Sequence, residues 1–100
     1  MEYQEFLAQA PAHNSPEFLD FLRENNPVVF EDSFWLVVEN YKYHTRANPW
    51  YTAFIKDVEA PVPWMSAHTL YHHAGWEHWN WLRKAADKRT IDRFHIHIHK

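Results

Sequence analysis

The last residues of the chain, Phe94-His95-Ile96-His97-Ile98-His99, alternate strictly between apolar and imidazole side chains. A period of two does not fit a helix, whose faces repeat about every 3.6 residues; it fits a β-strand, in which successive side chains point to opposite faces. Phe94, Ile96 and Ile98 therefore share an apolar face for packing, and His95, His97 and His99 share an imidazole face. Three imidazoles at this spacing can act as a nucleophile with orienting neighbours, or as metal ligands.

The rest of the chain bounds how that strand can be used. One hundred residues make one domain with a single modest core. Six Trp, seven Phe and a 46% share of hydrophobic residues exclude disorder. The formal charge of −3 excludes a basic nucleic-acid groove, although a single small phosphate site stays compatible with it. With no cysteine there is neither a disulfide framework nor a thiolate zinc site, and a reducing cytoplasm is the expected compartment. No apolar run approaches the roughly 20 residues of a membrane span, and the N-terminus lacks the pattern of a signal peptide, so no membrane association is expected. Gly75 is the only glycine. Any anion site must then be built from side chains or a helix N-terminus rather than a glycine-rich loop.

Two N-terminal helices are expected. Tyr3, Phe6, Leu7 and Ala10 recur at helical spacing over Glu2 to Ala10, closed by Pro11. Ser15-Pro16-Glu17 is a helix start, with a cap residue, proline at the first helical position and an acid near the positive end. Phe18, Leu19, Phe21 and Leu22 line that second helix, which stops before Pro27. Residues 1–26 thus read as a helical extension packed on a domain formed by residues 27–100. Val28-Val29-Phe30 and Phe34 to Val38, separated by the polar Glu31-Asp32-Ser33, read as a β-hairpin, and Trp50 to Ile55 reads as a third strand. From Ser66 onward Ala67, Leu70, Tyr71, Ala74, Trp81, Leu82 and Ala85 recur on one face, predicting one long helix with Gly75 inside it. Trp76 and Trp79 fall off that stripe and offer a second aromatic face for a partner protein or subunit. His68 and His72 sit four apart on the same segment and read as surface histidines.

The order hairpin, strand, helix, His strand resembles the histidine triad (HIT) family. Val28 to Asn40 is similar to that family's opening hairpin, an aliphatic-aliphatic-aromatic-Glu-Asp strand leading into a second strand. Trp50 to Lys56 looks like its third strand, and the closing His-Ile-His-Ile-His looks like its defining motif. The resemblance covers roughly Pro27 to His99. It implies an α+β fold with a HIT-like antiparallel sheet made of the hairpin, the third strand and the His strand. It also implies a homodimer, no cofactor, and hydrolysis or transfer at the phosphate of a nucleotide or other small phosphorylated molecule through a phosphohistidine at His97. His95 and His99 would flank that nucleophile. Asn40 stands where the family has an acid that binds ribose hydroxyls. Arg93 is the cation in Thr90-Ile91-Asp92-Arg93, the stretch that replaces the family's Gly-Gln-Ser-type segment. Trp50 occupies the place of a further family histidine, for which His44 is the nearby substitute, and Trp50 can also stack on a base. Two other readings stand beside this one: a non-catalytic binding protein that engages a macromolecule through its tryptophans, and a metal site at the three histidines.

Overall fold

The computed structural model describes residues 2–59, 67–83 and 87–100. The alternating run at the C-terminus is a strand, β5 (His95–His99), with partners on both sides. Before it come α1 (Tyr3–Gln9), α2 (Pro16–Asn25), β1 (Val28–Glu31), β2 (Trp35–Glu39), β3 (Trp50–Ile55), a one-turn helix α3 (His68–Tyr71), a 3₁₀ turn (Trp76–His78) and β4 (Asn80–Leu82). The strands form one open, antiparallel, five-stranded sheet in the order β1-β2-β3-β5-β4. The protein is a small α+β fold.

Register decides which residues meet. Residues directly opposite on antiparallel strands project to the same face. Phe54 lies opposite His95, Thr52 opposite His97 and Trp50 opposite His99. Val38 extends that row beyond Thr52, Leu36 extends it beyond Phe54, and Leu82 faces His97 from β4. The reverse face carries Trp35, Val37, Ala53, Ile55, Ile96 and Ile98, covered by Ala67, Leu70 and Trp76. The imidazole face is covered as well. Phe6 of α1 and Phe18, Leu19 and Leu22 of α2 pack on Leu36, Val38 and Phe54. Burial on both sides explains why Trp35-Leu36-Val37-Val38 is an unbroken apolar run rather than an alternating one.

Local chemistry sets the connections. Asp32 Oδ1 accepts the N–H groups of Phe34 and Trp35, each at 2.8 Å, which closes the β1–β2 turn, and its Oδ2 accepts the Thr69 hydroxyl at 3.0 Å. Arg93 adds a polar clamp to the apolar packing that holds the N-terminal helices. This side chain is 2% exposed, and it donates to the carbonyls of Ile55 (2.7 Å) and Lys56 (2.8 Å) at the end of β3. It also donates to those of His13 (2.9 Å) and Ser15 (3.1 Å) in the α1–α2 link. Its burial lowers the guanidinium pKa below the ordinary arginine value.

The single long helix expected from Ser66 does not form. Ala74 and Gly75 both have positive φ (51° and 74°), a left-handed break that an α-helix does not accommodate. Glycine at the second position makes that break affordable. Beyond it Trp76 drops into the core, and the Trp81 indole N–H donates to the Trp76 carbonyl at 2.8 Å. The recurrence that mimicked one stripe belongs to separate elements. Ala67 and Leu70 cover the sheet, Tyr71 and Ala74 are exposed, and Trp81 and Leu82 lie on opposite faces of β4. Ser66 and Ala85 fall outside the described residues. Trp76 is corrected with the helix: at 1% exposure against Phe30, Tyr51 and His73 it is core and offers no surface to a partner, while Trp79 is half-buried beside it. Among the described residues no helix is long and apolar enough to cross a membrane.

Candidate functional site

A cavity of about 530 Å³ opens on the imidazole face of the sheet, within the range of pockets that hold small organic ligands. The sheet contributes Thr52, Phe54, His95 and His97 to its lining, and α1 and α2 with their link to β1 contribute Tyr3, Phe6, Leu22 and Asn26. The β2–β3 loop supplies Asn40, Tyr41, Lys42 and Tyr43, and the stretch between β4 and β5 supplies Arg83, Arg89, Thr90 and Ile91.

The two histidines in this lining have different hydrogen-bond environments. His95 is 6% exposed and its Nδ1 lies 2.6 Å from the carbonyl oxygen of Arg93. A carbonyl only accepts, so Nδ1 carries the proton, and in the neutral ring Nε2 carries the lone pair. The anchoring carbonyl belongs to the residue held by four other carbonyls, so the orientation of His95 is tied to the rigid junction of β3 with the N-terminal segment. His97 Nδ1 faces an amide N–H donor and a hydroxyl instead. Asn40 Nδ2 lies 3.5 Å away and Thr52 Oγ1 3.4 Å away. The amide orientation of Asn40 is fixed by the backbone, because its Oδ1 accepts the N–H groups of Lys42 (2.9 Å) and Tyr43 (2.8 Å). Nδ2 must then point to Thr52 Oγ1, to which it donates at 2.9 Å, and to His97. The two imidazole rings meet edge to face, with centroids 5.0 Å apart and planes at 85°.

The remaining residues singled out in the sequence are dispersed. Trp50 lines the cavity, but one face of its indole is covered by His99, stacked at 3.9 Å and 8°. His99 itself is not in the lining, and its Nδ1 lies 3.3 Å from the Lys100 carbonyl. His44 is also outside the lining: its Nδ1 accepts the Trp50 backbone N–H at 3.1 Å, its Nε2 lies 3.5 Å from Glu39 Oε2, and its ring stacks on Tyr51. Arg93 is absent from the lining as well, its donors turned to backbone carbonyls. Among the described residues no group of three or more His, Asp or Glu is gathered to hold a metal ion.

Sequence reasoning missed the part of the site that comes from elsewhere. Tyr3, Phe6, Leu22 and Asn26 belong to a segment read as packing, and nothing in their spacing distinguishes a helix face that lines a cavity from one that seals a core. Lys42, Arg83 and Arg89 were not read as site residues, yet among the described residues they place three cations in a lining whose only carboxylate is Glu39. Three buried side-chain polar atoms lack a hydrogen-bond partner among the described residues, namely Asn26 Oδ1, Trp50 Nε1 and Arg89 Nε. All three residues line this cavity.

No family model, no curated protein and no solved structure matches this chain.

Proposed function

We propose that the cavity binds a small phosphorylated molecule, with a nucleotide as the leading class, and that the His95 and His97 pair carries out hydrolysis or transfer at its phosphoryl group through a phosphohistidine, as in the HIT-like reading of the sequence. The observation that carries this is the lining itself. Among the described residues, two imidazoles in edge-to-face contact share one cavity with Lys42, Arg83 and Arg89 against a single carboxylate. Phosphoryl groups are held by cationic side chains, and positioned imidazole nitrogens attack or protonate them near neutral pH; here Lys42 lies over the Tyr3 ring, Arg83 over the Phe94 ring, and Arg89 lies 3.7 Å from Asp92. Tyr3, Tyr41 and the uncovered face of Trp50 add aromatic surface of the kind on which a base stacks. Asn40, where the family would place an acid, is turned inward by its own backbone hydrogen bonds and donates toward Thr52 and His97.

The test is a turnover panel of adenosine phosphoramidate and adenosine dinucleotides, run beside AMP binding followed by NMR. Turnover that falls by on the order of 10³-fold in His97→Gln, with the fold retained, supports the reading. A folded protein that neither turns over any member of the panel nor shifts resonances of cavity residues with AMP refutes it. Binding of AMP without turnover leaves a phosphate-ligand receptor and removes the catalytic part.

A further inference from the structure

We infer that Asn26 Oδ1 reads the exocyclic amine of an amino-substituted nucleobase, adenine or cytosine, whose nucleotide lies lengthwise along β3 and β5 with its phosphoryl group toward Arg83 and Arg89. This rests on the phosphoryl reading and names the class of nucleotide within it. Asn26 lines the cavity and is 6% exposed, and its Nδ2 donates to the Glu39 carbonyl at 3.2 Å. That bond fixes the amide. Oδ1 is then the atom left over, and it has no hydrogen-bond partner among the described residues. A buried acceptor without a donor is costly, and a ligand that brings an N–H removes the cost on binding. Oδ1 is also recessed, out of contact with solvent. An amine that projects beyond its ring reaches such an atom, whereas a ring N–H is held back by the ring atoms beside it.

Strand register gives the cavity its two ends. Trp50, Thr52 and Phe54 follow one another along β3, opposite His99, His97 and His95. Glu39, which holds Asn26, pairs with Tyr51, so Asn26 belongs to the Trp50 end. Trp50 Nε1 is a second buried polar atom without a partner, a donor for a ring nitrogen or ribose oxygen of the same ligand. Arg89 belongs to the other end, since it also lines a smaller cavity with Ile55 and Phe94, the residues that close β3 and precede β5. Its Nη2 lies 3.7 Å from the exposed Asp92 carboxylate, and its Nε is the third buried atom without a partner. Arg83 lies over the same Phe94 ring at 5.8 Å, while Lys42, at the Asn26 end, lies over the Tyr3 ring. The acceptor at one end thus suits a donor on the base, and the guanidinium groups at the other suit phosphoryl oxygens. From Trp50 to Phe54 a strand advances roughly 14 Å at about 3.4 Å per residue, the reach of an extended nucleotide rather than of a lone phosphate. His97 and His95 lie between the two ends.

NMR titration of the unmodified protein with AMP, IMP and purine riboside 5′-monophosphate tests the base without any variant that has to fold. IMP carries a carbonyl in place of the adenine amine, and the purine riboside nucleotide carries hydrogen there. AMP is expected to bind at least about 10-fold more tightly than either. Equal affinity for AMP and either analogue overturns the amine reading while sparing the phosphoryl reading, and no shift of cavity resonances with any of the three overturns both. Asn26→Leu, with its fold checked by circular dichroism, is expected to level the three affinities by weakening AMP. A folded variant that still prefers AMP by about 10-fold overturns the assignment to Asn26; if the variant does not fold, the wild-type panel decides alone. Arg89→Met is expected to weaken AMP by about 10-fold and to leave adenosine binding unchanged. Equal losses for AMP and adenosine overturn the placement of the phosphoryl end.

Discussion

Replacing Arg93 by methionine separates two roles for this side chain, because the sequence suggests a phosphate ligand and the fold uses it as a clamp. Methionine keeps roughly the reach of the aliphatic stem and removes the donors to Ile55 O, Lys56 O, His13 O and Ser15 O, at 2.7, 2.8, 2.9 and 3.1 Å. A buried acceptor left without its donor costs about 1–3 kcal/mol. Ser15 O keeps a second donor in the Phe18 N–H at 3.2 Å, so the loss falls mainly on the others. The apolar replacement and the relief of guanidinium desolvation offset part of it, leaving a net loss of about 3–5 kcal/mol. For a domain of this size that lowers Tm by at least about 12 °C. Urea unfolding followed by tryptophan fluorescence measures the free energy, and calorimetry measures Tm. A loss below about 1 kcal/mol, accompanied by weaker AMP binding, would refute the clamp and return the guanidinium to the ligand.

Three further outcomes follow from particular contacts. Gly75→Ala is expected to destabilise by about 1 kcal/mol, because φ is 74° while a Cβ there meets nothing within 4 Å; a stabilisation of similar size in urea titration would instead favour a continuous helix. Glu31 accepts Arg23 Nη2 at 2.6 Å, Arg23 Nε at 3.1 Å and Lys56 Nζ at 2.7 Å, and these bonds hold its carboxyl down to about 2 from an ordinary 4.5. A depressed folded-state pKa stabilises above the unfolded value and is lost as pH falls through the folded one, so stability should decline between about pH 4.5 and 2. In Glu31→Gln that decline should shrink, with a neutral-pH loss of only about 1 kcal/mol because the group is partly exposed and screened; an unchanged acid limb in pH-dependent denaturation would contradict this. Asn40→Asp should preserve the caps to Lys42 and Tyr43 but place an oxygen opposite His97 Nδ1, drawing the ring proton to Nδ1. Imidazole ¹⁵N shifts that match those of the wild type would dismiss the amide as the determinant.

Much of the site was hidden because proximity in it is made by register and docking. His95 and His97 were legible as a pair on one face, since period-two alternation is a local property of the chain. That His97 meets Thr52 and Asn40, while His95 meets the Arg93 carbonyl, follows from the β3–β5 pairing and from an Asn side chain capping its own loop. Neither is encoded within any one segment. Arg93 shows the same limit from the other side. A cation two residues before a histidine strand looks available to an anion, and only the end of β3 together with the folded N-terminal link supplies the carbonyls that consume its donors.

By itself the sequence determined the alternating C-terminal strand, the hairpin, the third strand and the two N-terminal helices, because hydrophobic period, turn residues and Pro16 act over a few residues. It misjudged residues 67–83, where apolar spacing imitates a helix until a left-handed pair at Ala74 and Gly75 breaks it and the following residues find a hydrogen-bonding edge on β5. That edge exists only after β5 has paired with β3. The tertiary structure alone decided that both faces of the sheet are covered, that α1 and α2 close over the imidazoles to leave a cavity, and which nitrogen of each histidine meets a donor or an acceptor. Those outcomes depend on contacts between residues far apart in the chain, and a side chain's chemistry is set by the partner it finds there.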